Sequence, residues 1–212
     1  MIPLDIYNAI IFDLDGVIVS TDDCHYKAWK RLADEENIFF DRDINERLRG
    51  VSRMESLNII LERAEKNYTE DEKIEMAERK NSYYVSLVNS LDKTALLDGA
   101  IDFVLMIKKM GLKAAIGSSS KNTKLILEKV GCIEMFDAIA DGNDVLNSKP
   151  APDIFLSAAE KVGEIPQKCL VVEDADAGVE AAISAQMDVL AVGYASKNEC
   201  STYTADNLAM LK

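Results

Sequence analysis

The stretch Ile10-Ile11-Phe12-Asp13-Leu14-Asp15-Gly16-Val17-Ile18 decides the fold. An apolar run leads into two aspartates spaced i, i+2, and a glycine ends it. Such a run reads as a buried strand of a parallel sheet. Alternate side chains of a strand share a side, so the spacing sets two carboxylates together at its C-terminal end. Ligands of open α/β sheets bind at that end. Two like charges this close are unfavourable unless a cation, a shared proton or a covalent reaction relieves them. The plain alternative is a strand end capped by turn-forming aspartates. Asp-x-Asp-Gly behind four apolar residues favours the reactive site.

After Val19 the character of the chain changes. From about Asp22 to Leu91, Gly50 is the lone glycine and proline is absent. Apolar residues there recur at helical spacing. His25, Trp29 and Leu32 share one face. Ile74, Ala77, Tyr84, Val88 and Leu91 form a second stripe, with Asn81 as its polar break. Thr69 with Glu72 three residues on reads as a capping box opening that helix. The block is predicted to be an all-helical insertion.

From about Lys93, strands and helices alternate. The pattern predicts helices over 100–110, 123–130, 152–162 and 177–185. It predicts strands over 113–116, 138–140, 169–172 and 189–192. Such alternation implies a parallel sheet with right-handed crossovers. The expected architecture is therefore α/β: a doubly wound core from residues 1–20 and 93–212, with a helical cap over 21–92 inserted after the first strand.

At 212 residues and 23.4 kDa the chain can bury a full core. Its net charge of −13 argues against general binding to nucleic acid or membrane surfaces. No apolar run is long enough to span a bilayer. Asp5 stands where a signal peptide would carry basic residues, so a cytoplasmic protein is expected. Cys24, Cys132, Cys169 and Cys200 are scattered without a Cys-x-x-Cys, and read as buried free thiols.

Four strand ends then converge on one site. The first gives Asp13 and Asp15, the second Ser118. Lys149 precedes Pro150, and the strand after Cys169 ends in Glu173 and Asp174. Carboxylates of this kind suit Mg²⁺ with phosphate and water. A hydroxyl and an ammonium suit the remaining oxygens of a phosphoryl group. Taken singly, Ser118 reads as a loop serine, Lys149 as a solvated cation, and Glu173-Asp174 as a helix cap. The order of the four is what singles them out.

In that order the chain resembles the haloacid dehalogenase superfamily. The matching pieces are Phe12-Asp13-Leu14-Asp15-Gly16-Val17, the Ser118 strand end, Lys149 in Lys-Pro-Ala-Pro-Asp-Ile-Phe, and Val172-Glu173-Asp174 with Ala177-Gly178. Within the superfamily it is most similar to the β-phosphoglucomutase branch. The marks are His25 to Lys30, Arg49-Gly50-Val51-Ser52-Arg53 with Glu55-Ser56-Leu57, Glu78-Arg79-Lys80-Asn81, and Ser118-Ser119-Ser120-Lys121-Asn122.

That resemblance implies a phosphosugar mutase passing between β-glucose 1-phosphate and glucose 6-phosphate through a bisphosphorylated sugar. It implies Asp13 as the nucleophile forming an aspartyl phosphate and Asp15 as general acid and base. One Mg²⁺ per monomer would sit on Asp13, the Asp15 backbone carbonyl, Asp174 and Glu173. Ser118 and Lys149 would hold the transferring phosphate, and Arg53 the distal one. Arg49 to Ser56, Lys80 and the Ser119-Ser120-Lys121-Asn122 loop would line the substrate site. His25, by itself a packing partner of Trp29, would help place Asp15 and sense closure. Trp29, Leu32 and Tyr84 are assigned to packing inside the cap.

The chain departs from the family at Ser20, where many relatives carry aspartate, and at Gln186, where glycine is common. It also has Arg49 for an expected lysine, and its C-terminus stops early, so the loss of a final covering helix is expected. Two alternatives use the same core: a phosphatase for small sugar or polyol phosphates, and a non-enzymatic phospho-aspartate switch. The cap argues against the switch, which has no use for it. Whether Lys149-Pro150 is cis stays open at the level of sequence.

Overall fold

The computed structural model describes residues 2–211. Its centre is a six-stranded, all-parallel sheet in the order β3-β2-β1-β4-β5-β6. The strands are β1 (Ala9–Phe12), β2 (Lys113–Gly117), β3 (Ala138–Ala140), β4 (Cys169–Glu173), β5 (Asp188–Ala191) and β6 (Tyr203–Thr204). Strand order reverses beside β1, between the β1-β2-β3 half and the β4-β5-β6 half. That switch point opens a crevice at the strands' C-terminal ends.

Strands β1 and β4 are buried throughout, which is why they read as unbroken apolar runs. Helices α5 (Ala100–Lys109) and α6 (Thr123–Lys129) cover one face of the sheet, with Phe12, Phe103 and Ile116 in the shared core. Helices α7 (Asp153–Val162) and α8 (Asp176–Ser184) cover the other, with Ile11, Phe155 and Val171.

Between β1 and β2 lie α1 (Asp22–Glu35), α2 (Arg42–Glu46), α3 (Arg53–Leu61) and α4 (Glu70–Val88). They bury a core of their own around Trp29, Leu32, Leu57, Ile60 and Met76. Thr69 and Glu72 form the expected capping box at the start of α4. The two connections to the sheet run side by side. Val19 bridges Leu96, Ser20 N–H donates to Ala95, and Leu97 N–H donates to Ile18.

The insertion is all-helical as expected, divided at Asp41 and Ser52, which cap α2 and α3 with their side chains. Two points need correction. Strand β6 follows β5 in the sheet, but two residues carry no periodicity to read. The thiols are free as expected, but Cys200 is exposed and Cys24 half-buried. Gln186 adopts φ of 60°, the left-handed region that glycine fills more readily, so its departure from the family falls on a position with that need. Among the described residues no α-helix follows α8, and no helix is long and apolar enough to cross a membrane.

Candidate active site

The two aspartates meet through a turn rather than through strand alternation. β1 ends at Phe12, and Asp13 extends its ladder by one bond, N–H to the Val172 carbonyl at 2.9 Å. Asp15 already lies in the turn that Gly16 closes, with Gly16 N–H donating to the Val19 carbonyl at 2.8 Å. Gly16 has φ of 79°, and a Cβ there would fall 1.9 Å from Asp174 Oδ2. Glycine thus lets the β4 carboxylate approach the β1 turn. Gly178 does the same for Glu173, whose Cδ would meet a Cβ at 2.0 Å.

The floor of the site is a buried charge cluster. Carboxylate oxygens of Asp13, Glu173 and Asp174 lie within 4.8 Å of one another. Lys149, after β3 and before the cis Lys149–Pro150 peptide, reaches Asp13 Oδ1 at 2.5 Å and Glu173 Oε2 at 2.8 Å. Burial opposes the Lys149 charge, but Asp13 and Glu173 overcome it and hold the ammonium above its usual range. Burial raises the carboxyls of Glu173 and Asp174, and their mutual repulsion with Asp13 adds to it. Three carboxylates thus share a single ammonium. A hard divalent cation fits this donor set, because it would relieve the remaining repulsion with oxygen ligands.

Asp15 stands apart from that cluster. It accepts a hydrogen bond from the Thr21 hydroxyl, which itself accepts one from Tyr84 Oη at 3.1 Å. Burial pushes the Asp15 carboxyl up to about 7; Thr21 works against the rise and Asp13 adds to it. A carboxyl poised there can both give and take a proton near neutral pH. His25 Nε2 lies 4.0 Å from Asp15 Oδ2, and its ring packs 4.1 Å from that of Tyr84. Burial, with Lys80 and Arg53 nearby, holds His25 well below its ordinary value and so neutral. Tyr84 therefore does more than pack: its hydroxyl supports the group that holds Asp15.

Above the floor, the cap presents cations. Lys80 is buried, 3.0 Å from His25 Nδ1 and 4.5 Å over the Trp29 ring. Burial, then Arg53, lowers its ammonium to about 7. Arg53 donates from Nη2 to Asn81 Oδ1 at 2.9 Å. Among the described residues neither Lys80 nor Arg53 has a carboxylate partner within 4.0 Å.

Arg49, expected at the sugar site, is tied differently from Arg53 and Lys80. It lines the cavity, but its guanidinium is taken by Asp22 at 2.7 Å and Glu46 at 2.8 Å. It also lies 3.9 Å over the Tyr194 ring and donates to Tyr194 Oη at 3.0 Å. Burial works against this charge, but the two acids more than offset it. Arg49 is thereby a tie between the cap and the core segment after β5.

Ser52 likewise lines the cavity while its hydroxyl caps α3. Gly50 faces Ala175, whose Cβ would lie 3.0 Å from a Cβ added there. Ser56 and Ser118 are buried, and Ser118 Oγ accepts from Ser120 N–H at 3.2 Å. Ser120 Oγ accepts from Asn122 N–H, and the buried Ser119 hydroxyl has no hydrogen-bond partner among the described residues. Lys121 completes the loop at the cavity wall.

All the candidate catalytic, substrate and metal residues named from sequence line one cavity of about 600 Å³ between sheet and cap. Sequence reasoning missed Thr21, Asn81 and Tyr194. Only Asn81 left a signal, as the polar break in an apolar stripe.

The matches to known proteins agree with this geometry. Haloacid dehalogenase-like hydrolases match residues 7–186. A β-phosphoglucomutase of Bacillus subtilis is 44% identical over 187 residues, 87% of this chain and 83% of its own length. A phosphorylated carbohydrates phosphatase of Thermotoga maritima is 32% identical over 85% of this chain and 82% of its own. The crystal structure of a β-phosphoglucomutase from Clostridium difficile superposes with a TM-score of 0.91 at 40% identity, over 97% of this chain and 93% of that one. With the acidic strand ends, the lysine and the inserted helices in their order, the chain belongs to the haloacid dehalogenase-like hydrolase family.

Proposed function

We propose that this protein is a Mg²⁺-dependent phosphosugar mutase that interconverts β-glucose 1-phosphate and glucose 6-phosphate through glucose 1,6-bisphosphate. One observation carries the reading. The cap holds Arg53 and Lys80, both without an acidic partner among the described residues, opposite a floor that already pairs its own lysine. In a chain of net charge −13, a buried and a half-buried cation without acidic partners are a provision for an anionic ligand. A hydrolase acting on a monophosphate has no use for a second anion site. The relatives named β-phosphoglucomutase support the same choice.

Asp13, Glu173, Asp174 and the Asp15 backbone carbonyl would hold the ion. Bound there, it would neutralise charge on the phosphoryl oxygens. An Asp13 carboxylate oxygen attacks phosphorus of the bisphosphate, and the sugar oxygen leaves, giving an aspartyl phosphate and a monophosphate. Asp15 gives the proton to that leaving oxygen. In the return step Asp15 takes the proton of the other sugar hydroxyl as that oxygen attacks phosphorus and Asp13 departs. Ser118 and Lys149 hold the phosphoryl oxygens in transfer. Arg53, Lys121 and Asn122 take the distal phosphate, while Gly50, Ser56 and Lys80 face the sugar. Closure of the cap keeps water from the phospho-aspartate. The reading places the enzyme in the cytoplasm, as a monomer acting on a phosphorylated hexose.

The test supplies β-glucose 1-phosphate, Mg²⁺ and a trace of the bisphosphate, and follows the products. Glucose 6-phosphate is expected, with a lag when the bisphosphate is withheld. Inorganic phosphate as the main product would instead make the protein a phosphatase, as its Thermotoga maritima relative is named.

A further inference from the structure

Asn81 sits at a junction of three elements. It projects from α4; its Oδ1 accepts from Arg53 Nη2 on α3 at 2.9 Å and from Asn122 Nδ2 of the core loop before α6 at 3.0 Å. One carbonyl oxygen thus brings a guanidinium of the cap and an amide of the core to a single point on the cavity wall. Asn81 is also the polar break in a helix face otherwise made of Ile74, Ala77, Tyr84 and Val88. The arginines around it are treated otherwise: Arg47 and Arg79, like Arg49, each have a carboxylate within 4.0 Å. Of these arginines, Arg53 is the one with an uncharged acceptor and no carboxylate within 4.0 Å among the described residues.

That difference has a chemical consequence. A carboxylate at position 81 would pair with the Arg53 fork and cancel its charge in a poorly solvated site. An amide oxygen fixes the direction of the fork and leaves the charge for a ligand. It also lines up the Asn122 amide beside it, across the gap between cap and core.

We propose that Asn81 is the positioning residue of the distal-phosphate subsite, selecting a sugar that carries a second phosphate by orienting Arg53 and Asn122 without neutralising them. The proposal rests on the mutase reading above, and it names the residue on which discrimination between bisphosphate and monophosphate turns. Because its two partners lie on opposite sides of the cavity, the subsite is complete only when the cap is closed.

The experiment compares wild type with Asn81→Asp, Asn81→Ala and Arg53→Ala. It measures initial mutase rates against glucose 1,6-bisphosphate concentration, with thermal melting to check folding. Arg53→Ala should raise the bisphosphate concentration for half-activation by at least about 10-fold. Asn81→Asp should raise it as much, with kcat at saturating bisphosphate within about 3-fold of wild type. Asn81→Ala should have the smaller effect, because the Arg53 charge survives. A purely structural asparagine predicts the reverse order, with the near-isosteric aspartate milder than alanine, and that order would overturn the proposal. If Arg53→Ala leaves half-activation unchanged, the mutase reading of the cap fails. If Arg53→Ala behaves as expected and Asn81→Asp matches wild type, the role of Asn81 fails alone.

Discussion

The floor and the roof of the cavity handle buried charge in opposite ways. On the floor, Lys149 is held between Asp13 and Glu173, and Asp174 stands by with a carboxyl raised by burial. In the roof, Arg53 has an amide and Lys80 a neutral histidine. The floor is short of positive charge and suits a metal ion. The roof has positive charge left over and suits an anion. Either surface alone would fit many phosphoryl-transfer enzymes; facing each other across one cavity they fit a substrate with phosphate at both ends.

Removing the nucleophile should break the comparison most completely. Asp13→Ala is expected to lower kcat by at least about 10⁴-fold, since no other carboxylate can form the acyl phosphate. Mutase turnover by coupled assay checks this. Lys149→Met should abolish turnover too, and it should also unsettle the floor. Losing one partner of a buried ion pair destabilises by about 3–5 kcal/mol, read as a lower urea midpoint. Added Mg²⁺ should recover part of that stability, because the carboxylates regain a cation.

The roof should respond with the opposite sign. The Lys80 ammonium is lowered to about 7, below the 10.5 of an ordinary lysine. A depressed value means stability present above the unfolded pKa and lost as pH falls through the folded one. The burden of the buried charge is therefore full below about pH 7. Lys80→Met should raise Tm at pH 6 by about 2–4 °C for each kcal/mol relieved, while weakening substrate binding. Destabilisation at pH 6 would contradict an unpaired roof.

The same group gives a pH signature. His25 and Trp29 of α1, Arg53 of α3, Tyr84 of α4 and Asp15 of the floor surround the amine. In the free enzyme it loses its charge as pH rises past about 7, so kcat/KM for a phosphosugar should decline there. Lys80→Arg stays charged and should flatten that decline. The smallest effect is expected at the Arg49–Tyr194 tie. Tyr194→Ala removes one ring contact and one hydrogen bond from an exposed residue, worth about 0.5–1 kcal/mol, and should raise KM about 2- to 5-fold with kcat little changed.

How far the sequence carried this comparison differs between the two surfaces. Most of the floor was legible because Asp13, Glu173 and Asp174 sit at the ends of β1 and β4, and strands with strong apolar runs announce their ends, whereas Lys149 lies in a loop well past β3. Even there one feature lies outside strand periodicity: Asp13 and Asp15 are brought to one site by the Gly16 turn, not by one strand face. The roof was legible only through resemblance. Whether an arginine is free or paired depends on side chains distant in sequence, such as Tyr194 beside Arg49. Tyr84 looked like packing because its ring does pack, and its hydroxyl contact with Thr21 is tertiary. β6, two residues long, lies below the length at which periodicity can be read.

The central claim is that the roof makes the sugar, not water, the acceptor. ³¹P NMR of the ratio of glucose 6-phosphate to inorganic phosphate, from β-glucose 1-phosphate with trace bisphosphate and Mg²⁺, tests it most directly. The wild-type enzyme should give glucose 6-phosphate almost alone, and Arg53→Ala should shift the ratio toward inorganic phosphate. Inorganic phosphate as the dominant wild-type product, or a ratio that Arg53→Ala leaves unchanged, would contradict the account.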